Sequence, residues 1–413
     1  MDIRVILILL AEAALAFCLI YRVARPSGIV SVVCIALLTS AAFAARYFVL
    51  DYVTLDYRDF LSQWVDYFRV NGGFRALNTP VGNYNIPYLY FLAAFSYSDI
   101  NDLYLIKLLS IFFDILLAYG SALIISRLTG SKARIISCFF VILMLPTVFL
   151  NGSLWGQCDS TYAALMILGI YCSLDDRPVL SMILAAFSFG FKLQAVFILP
   201  VYAVLWMRGK FKLWHFAVFP AAYILLVMPA VLLGRPFMDT ITLYFNQTGS
   251  IGSGLNYNSP SVYALFQYSL PEEYNSLAST LGIIAAGAYM LTVLIVCYVN
   301  RKRLTEKSVI AAALLFAIGI PFLLPHMHDR YFFAADVISV LAAFTAFEFS
   351  AVPLLVQFAS LLGYHAYLKM RYLLLMDKGA WALTAALVLT VWYFVLSLRR
   401  NNSGLFKYRD ISA

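Results

Sequence analysis

A chain of 413 residues that is 63% hydrophobic and only 12% charged, with a mean hydropathy of +0.85, has too little polar surface to remain soluble as a globule. Its formal net charge of +8 is concentrated in short stretches between apolar runs, the bias of cytoplasmic membrane loops, and no nucleic-acid partner is needed to account for it. The apolar runs reach membrane-crossing length without the period-two alternation of a barrel, so the expected fold class is all-α, a polytopic transmembrane helical bundle.

In chain order the runs cover 5–21, 29–50, 103–125, 135–150, 162–174, 179–206, 216–233, 281–299, 309–324, 331–347, 352–367 and 380–396. The run 179–206 carries Lys192 near its middle and Pro200 beyond it, which predicts two short helices meeting at one membrane face. The expectation is therefore about 11–13 spans in a single domain, 1–413. Met1-Asp2-Ile3-Arg4 is a weak start for a cleavable signal, and the first run reads as a span.

Arg22 and Arg25, then Arg127, Lys132 and Arg134, then Arg208, Lys210 and Lys212, then Arg301, Lys302, Arg303 and Lys307, and finally Arg399, Arg400, Lys407 and Arg409 all fall on one predicted side, the cytoplasmic one. Lys369, Arg371 and Lys378 run against this trend. The C-terminus is then cytoplasmic, and two long connections lie outside. The first, 51–101, holds a mixed-charge stretch at 51–85; the second, 236–280, carries Gly249, Gly252, Gly254 and Asn256-Tyr257-Asn258-Ser259-Pro260, and reads as a substrate lid or a glycine-rich connector.

Of six cysteines, Cys18, Cys34, Cys138, Cys172 and Cys297 fall within runs and Cys158 near the outer rim, which suggests neither a disulfide framework nor a metal cluster. There is no Walker loop and no GxGxxG after a strand, so nucleotide-driven pumping and nucleotide-sugar chemistry lose support. The energy must come from an activated substrate or a gradient.

Polar residues that a lipid environment makes costly gather at the outer rims. Asp56 and Asp59 open the first loop, where a carboxylate can take a proton from a hydroxyl beside a bilayer that holds a lipid tail. Gln157 and Asp159 stand where the helix after 135–150 begins; Asp159 is either a helix cap or a substrate ligand, and Trp155 either an interfacial anchor or a sugar-stacking platform. Lys192 faces a phosphate or a structural carboxylate, and Gln194 follows it. Arg330 offers a rigid fork of donors for phosphate oxygens, with a further hydrogen bond from His328 or His326, although His326 also fits a packing role. His-x-His beside Asp329 is a weak metal signal, so no cofactor is required and a divalent metal is left open. Lys107 and Asp114 lie two turns apart on one helix face and point into the bundle; Asp114 is expected to partner another helix, and Lys107, near the outer end, to join the anion site.

Carboxylates, cations and aromatic-rich outer loops at one end of a helical bundle fit transfer of a sugar from a lipid-phosphate donor. One carboxylate acts as general base, worth ~10²–10⁴ in rate, while the cations stabilise the departing phosphate. Displacement at the anomeric carbon inverts its configuration.

Asp56-Tyr57 with Phe60-Leu61 and Trp64, Asn71-Gly72-Gly73-Phe74, Gly82-Asn83-Tyr84-Asn85, Pro87-Tyr88, Trp155-Gly156-Gln157-Cys158-Asp159, Phe191-Lys192-Leu193-Gln194 and His326-Met327-His328-Asp329-Arg330-Tyr331, in this order, resemble bacterial relatives of the second mannosyltransferase of GPI-anchor synthesis. These relatives belong to the GT-C superfamily of integral-membrane glycosyltransferases. The resemblance implies a polyprenyl-phosphate donor, commonly of mannose, a glycolipid or glycan acceptor, inverting transfer on the extracytoplasmic face of a bacterial plasma membrane, and a catalytic aspartate in the first large outer loop. Asp56 is the matching position and Asp59 the alternative base. Lys192, His328 and Arg330, with His326 and Lys107, become the donor-phosphate candidates; Gln157, Asp159, Trp155, Gln194 and Asn256 become the sugar and acceptor candidates. Two departures are visible: an extra apolar span precedes the helix leading into the catalytic loop, and Asp329 stands where relatives often carry Glu. The competing class is a transporter or flippase of lipid-linked sugars, whose charges would line a path through the bundle rather than crowd one face.

Overall fold

The computed structural model describes residues 2–244, 254–266 and 271–400. Its helices are, in chain order, α1 (Ile3–Ala24), α2 (Ile29–Tyr47), α3 (Ser62–Val70), α4 (Ile86–Phe95), α5 (Asp102–Thr129), α6 (Lys132–Leu143), α7 (Pro146–Phe149), α8 (Asp159–Leu174), α9 (Pro178–Phe191), α10 (Val201–Met207), α11 (Val218–Leu232), α12 (Phe237–Ile241), α13 (Asn275–Val299), α14 (Glu306–Leu323), α15 (Phe333–Thr345), α16 (Val352–Lys369) and α17 (Met376–Arg400). The only strands among the described residues are β1 (Asn256–Tyr257) and β2 (Met327–His328), paired in parallel. The chain is thus an all-α bundle, as its composition requires.

Among the described residues eight helices are long and apolar enough to cross a membrane, or nine if Lys132–Leu143 and Pro146–Trp155, bent by 44°, form one span. This is fewer than the 11–13 expected, and the shortfall is local. Helices α8, α9 and α15 run for 16, 14 and 13 residues. At 1.5 Å per residue each covers roughly 20–24 Å of a hydrocarbon core ~30 Å thick. What they lack is replaced at one end by irregular chain: the π-helical turn Leu150–Trp155 before α8, an extended Lys192 and the 3-10 turn Leu193–Phe197 after α9, and the connection 324–332 before α15. Irregular backbone at membrane depth is tolerated where protein or a polar cavity satisfies it. The split of 179–206 falls at Lys192, where the sequence places it.

The opposite end is marked by the basic connections. Arg127 pairs with Asp175 and with Glu306, Lys210 with Asp176, and Arg208 donates to the Leu304 carbonyl, so the loops after α5, α8, α10 and α13 meet there.

The connection between α2 and α5 has a core of its own. Leu61, Val65, Phe68, Leu77, Ile86 and Leu92 are buried against Phe191 of α9 and Tyr223 and Val227 of α11. Apolar burial of this kind, worth roughly 25 cal/mol per Å², fixes the segment over the ends of α9 and α11. Beneath it, fully buried Arg46 on α2 pairs with Asp114 on α5 at 3.2 Å and donates to the Leu143 carbonyl at 2.7 Å, while Ser160 donates to the same carboxylate. Arg46 is the interhelical partner that Asp114 was expected to have.

Candidate active site

The site is assembled on the turn that replaces the outer end of α8. Gly156 sits at φ +80°, a left-handed conformation that glycine adopts without strain, and it ends the turn Leu150–Trp155 so that Trp155 and Gln157 project to one side. The Ser110 hydroxyl donates to the Gln157 carbonyl at 2.7 Å and locks that geometry to α5. Thr54, just before the first π-helical turn of the outer loop, donates to the Trp155 carbonyl at 3.0 Å and so brings Asp56 alongside.

The half-buried Asp56 carboxylate is held through Oδ2, which accepts from Trp155 Nε1 at 2.9 Å and from Gln157 Nε2 at 2.6 Å. Its own N–H donates to the Tyr367 hydroxyl at 3.2 Å, and the Tyr367 ring stacks on Trp155 with centroids 4.2 Å apart. Gln157 Oε1 accepts from the Tyr84 hydroxyl at 3.1 Å. The Gln157 amide is thereby oriented with its nitrogen toward the carboxylate. Asp56 is therefore fixed in place rather than free to rotate.

Asp159 lies beside this group and is fully buried. Its Oδ1 accepts from Lys192 Nζ at 2.6 Å, and its Oδ2 accepts from Asn151 Nδ2 at 2.7 Å with Arg330 Nε at 3.8 Å. Cys158, not Asp159, is the N-cap of α8, and the Asp159 side chain caps nothing; its charge is spent on two cations. This removes the helix-cap reading. Trp155 is likewise fully buried, so the interfacial-anchor reading gives way to a packed role under Arg330, whose guanidinium lies 5.3 Å from the indole centroid. Lys192 has the structural carboxylate that one reading of it required, and its ammonium also lies 5.8 Å from the Tyr84 ring. Arg330 is shared between Asp159 and Asp329, whose Oδ1 lies 3.5 Å from its Nη1, so two cations and two carboxylates stand together next to Asp56. Arg330 Nε is buried with no hydrogen-bond partner among the described residues, its nearest carboxylate oxygen being Asp159 Oδ2 at 3.8 Å.

The rest of the rim comes from the connection between α14 and α15. His328 stacks on Tyr257 of β1 with centroids 4.8 Å apart. Burial, followed by Arg330, pushes its imidazole down to about 4, so at neutral pH it is an uncharged single donor rather than a cation. Burial raises the Asp329 carboxyl to about 7 against the opposing pull of Arg330.

The other sequence candidates fall outside the cluster. Asp59 is exposed and pairs with Arg58 at 2.7 Å. Lys107 is fully buried, and its ammonium donates to the carbonyls of Val49, Leu50 and Tyr52 at 3.1, 2.8 and 2.7 Å. All three of its hydrogens are thereby used on carbonyls of the turn that follows α2, and the expected anion contact is replaced by a structural one. His326 bonds the Gly254 carbonyl at 2.8 Å and the Ser279 hydroxyl at 3.1 Å, which is the packing role. Asn256 closes a turn with Ser259. Gln194 is buried beside the Tyr331 hydroxyl, and its Oε1 has no partner among the described residues. Of the second outer loop, Gly249 and Gly252 lie outside the described residues, as do Lys407 and Arg409 of the tail. Within its described part, the stretch Gly254 to Asn258 is tied to 326–328 through β1 and β2, and Tyr257 stacks on His328.

Sequence reasoning gave no role to Asn151, Tyr84, Tyr364 and Tyr367. Tyr364 accepts from Asn151 at 3.0 Å and Tyr367 accepts from Asp56. Their i, i+3 spacing on α16 is a signal of a shared face, but nothing in the sequence says which helix that face meets. Among the described residues no three His, Cys, Asp or Glu side chains converge as a metal-ligand set. Compared with known protein families and with curated proteins, the chain matches none.

Proposed function

We propose that the protein is an inverting glycosyltransferase that moves a hexose, by resemblance mannose, from a polyprenyl-phosphate donor to an acceptor hydroxyl at the extracytoplasmic face of a membrane. The observation that carries this reading is the Asp56 carboxylate, held by Trp155 and Gln157 beside the Lys192 and Arg330 cations. A proton acceptor of fixed geometry adjacent to two cations supports a reaction in which one oxygen loses a proton while another gains negative charge.

In the proposed reaction Asp56 accepts the proton of the acceptor hydroxyl. That oxygen bonds the anomeric carbon from the side opposite the phosphate, and the carbon–oxygen bond to the phosphate breaks. The electron pair leaves on the lipid phosphate, where Arg330 Nε and Lys192 stabilise it. His328, being neutral, contributes one hydrogen bond at most. The products are an inverted glycoside, a polyprenyl phosphate and a protonated Asp56. Asp59, exposed and paired with Arg58, has no part.

The test is transfer of radiolabelled mannose from polyprenyl-phosphate mannose to a membrane lipid extract by purified protein in detergent. Asp56→Asn keeps an acceptor oxygen for Trp155 and Gln157 while losing proton affinity, and is expected to reduce turnover by ~10²–10⁴ with folding intact. Full transfer by Asp56→Asn moves the base elsewhere. Absence of transfer by the wild type with any lipid-phosphate sugar overturns the reading in favour of a transporter.

A further inference from the structure

Below the cluster, one turn into α15, lies a carboxylate that the proposed chemistry does not use. Asp336 is fully buried, its N–H bonded to the Phe332 carbonyl, and it faces the Thr147 hydroxyl of α7 and the Ser360 hydroxyl and Gln357 carboxamide of α16. No Lys, Arg or His pairs with it among the described residues. Among the described residues four oxygens in this group are buried without a partner in full hydrogen-bond geometry, both carboxylate oxygens of Asp336, Ser360 Oγ and Gln357 Oε1, with Ser360, Thr147 and Gln357 near enough to donate toward the carboxylate. Gln357 Nε2 is already committed to Thr147 Oγ1 at 2.8 Å.

A carboxylate without a cationic partner in a bundle interior is among the costliest groups a membrane protein can carry, and the Ser360 and Thr147 hydroxyls that face it can each donate a hydrogen but leave its charge in place. Protonation of Asp336 neutralises the charge and adds one hydrogen to those of the two hydroxyls. A small cation satisfies several lone pairs at once and neutralises the charge. A single carboxylate among neutral oxygen donors, with no nitrogen or sulfur ligand, matches a hard monovalent cation rather than a divalent or transition metal. We propose that Asp336, with the Ser360 and Thr147 hydroxyls and the Gln357 carboxamide oxygen, holds an alkali-metal cation of the sodium class between α7, α15 and α16.

The position gives the cation a structural consequence. Gln357, Ser360, Tyr364 and Tyr367 follow one another at helical spacing along α16, so they form one stripe. The lower two face Asp336, Tyr364 meets Asn151 of the Asp159 group, and Tyr367 meets the Asp56 backbone. A cation that clamps α16 to α15 and α7 therefore braces the helix that supports the cluster above it. This inference is independent of the glycosyl-transfer reading.

The experiment is thermal unfolding of the full chain in detergent at equal ionic strength in sodium, potassium and N-methyl-D-glucamine chlorides. The wild type is expected to unfold roughly 2–4 °C higher in sodium than in N-methyl-D-glucamine at a hundredfold excess over Kd, with a saturable dependence on sodium concentration. Asp336→Asn should abolish the difference. Ser360→Ala, which keeps the carboxylate and removes one ligand, should shift the half-saturating sodium concentration up by roughly tenfold. Identical unfolding temperatures for the wild type in all three salts, or an undiminished sodium response in Asp336→Asn, overturns the proposal. If Asp336→Asn does not fold, the Ser360→Ala titration decides, and an unshifted midpoint overturns the proposal.

Discussion

Removing the Lys192 ammonium tests whether the Asp159 group is a coupled network. In Lys192→Met the stem is kept and the charge is lost. At 2.6 Å from Asp159 Oδ1 the pair attracts by about 6 kcal/mol at an effective dielectric of 20, and Arg330 at 3.8 Å adds about 4 kcal/mol. Desolvation of the lysine takes back several kcal/mol, which is why breaking one side of a buried pair costs about 3–5 kcal/mol net. Because Arg330 and Asn151 Nδ2 still hold the carboxylate, the expected loss for Lys192→Met is about 2–4 kcal/mol. Lys192→Met/Asp159→Asn removes both charges and is expected to lose only about 1–2 kcal/mol, less than Lys192→Met alone, so the two sites couple by at least about 1 kcal/mol plus whatever Asp159→Asn costs by itself. The assay is unfolding by SDS titration in mixed micelles, with wild type, both single variants and the double in one cycle. Additive losses, or a loss under about 0.5 kcal/mol for Lys192→Met, would refute a buried ion pair here.

The remaining predictions concern the connection 324–332 and what it touches. Between about pH 4 and 7 the native state holds a proton on Asp329 that the unfolded chain lacks, so this group makes stability fall as pH rises, whereas His328, protonated only when unfolded between about pH 4 and 6.5, makes it rise. The two slopes, up to about 1.4 kcal/mol per pH unit each, should nearly cancel in the wild type below about pH 6.5. Unfolding titrations at about pH 5 and 6 should then show stability rising with pH in Asp329→Asn and falling in His328→Phe, and equal slopes in the two variants would contradict the opposed shifts. A Cβ on Gly363 would lie 2.8 Å from the Asp329 carbonyl oxygen and 2.9 Å from that of Asn258, both backbone atoms that cannot swing aside. Gly363→Ala should therefore cost about 1–3 kcal/mol in the same titration, and an unchanged midpoint would deny the close approach. His326→Phe removes the bonds to Gly254 and Ser279, and limited proteolysis in detergent should cut the 254–258 segment faster than in the wild type; an unchanged cleavage rate would mean that β1 alone holds it.

Much of this architecture is written in the order of residues along the chain. The density of apolar residues over runs near membrane length determines helices, because a segment in lipid must satisfy its own backbone, and the all-α bundle follows. The break at Lys192 is equally local, since a charged residue and a nearby proline interrupt an apolar run whatever surrounds it. The concentration of Asp56, Gln157, Asp159, Lys192 and Arg330 toward one end of the helices is legible for the same reason. Span count is less so, because the apolar runs of α8, α9 and α15 do not reveal how much of each is given up to the turns that carry the site.

Which of two partners a polar side chain takes was decided only by the tertiary structure. Asp56 and Asp59 are three residues apart and chemically alike, yet one meets Trp155 and Gln157 and the other meets solvent, because the Thr54 contact with the Trp155 carbonyl sets the rotation of that turn. Lys107 and Lys192 both read as costly buried cations; one encounters three carbonyls of the turn after α2 and the other Asp159, a distinction that depends on helix packing. Asp336 lies in an ordinary apolar run, and its unpaired oxygens come into view only where α7, α15 and α16 meet. Sequence fixes the local cost of exposing or burying a group, whereas the partner that offsets it arrives from a distant part of the chain.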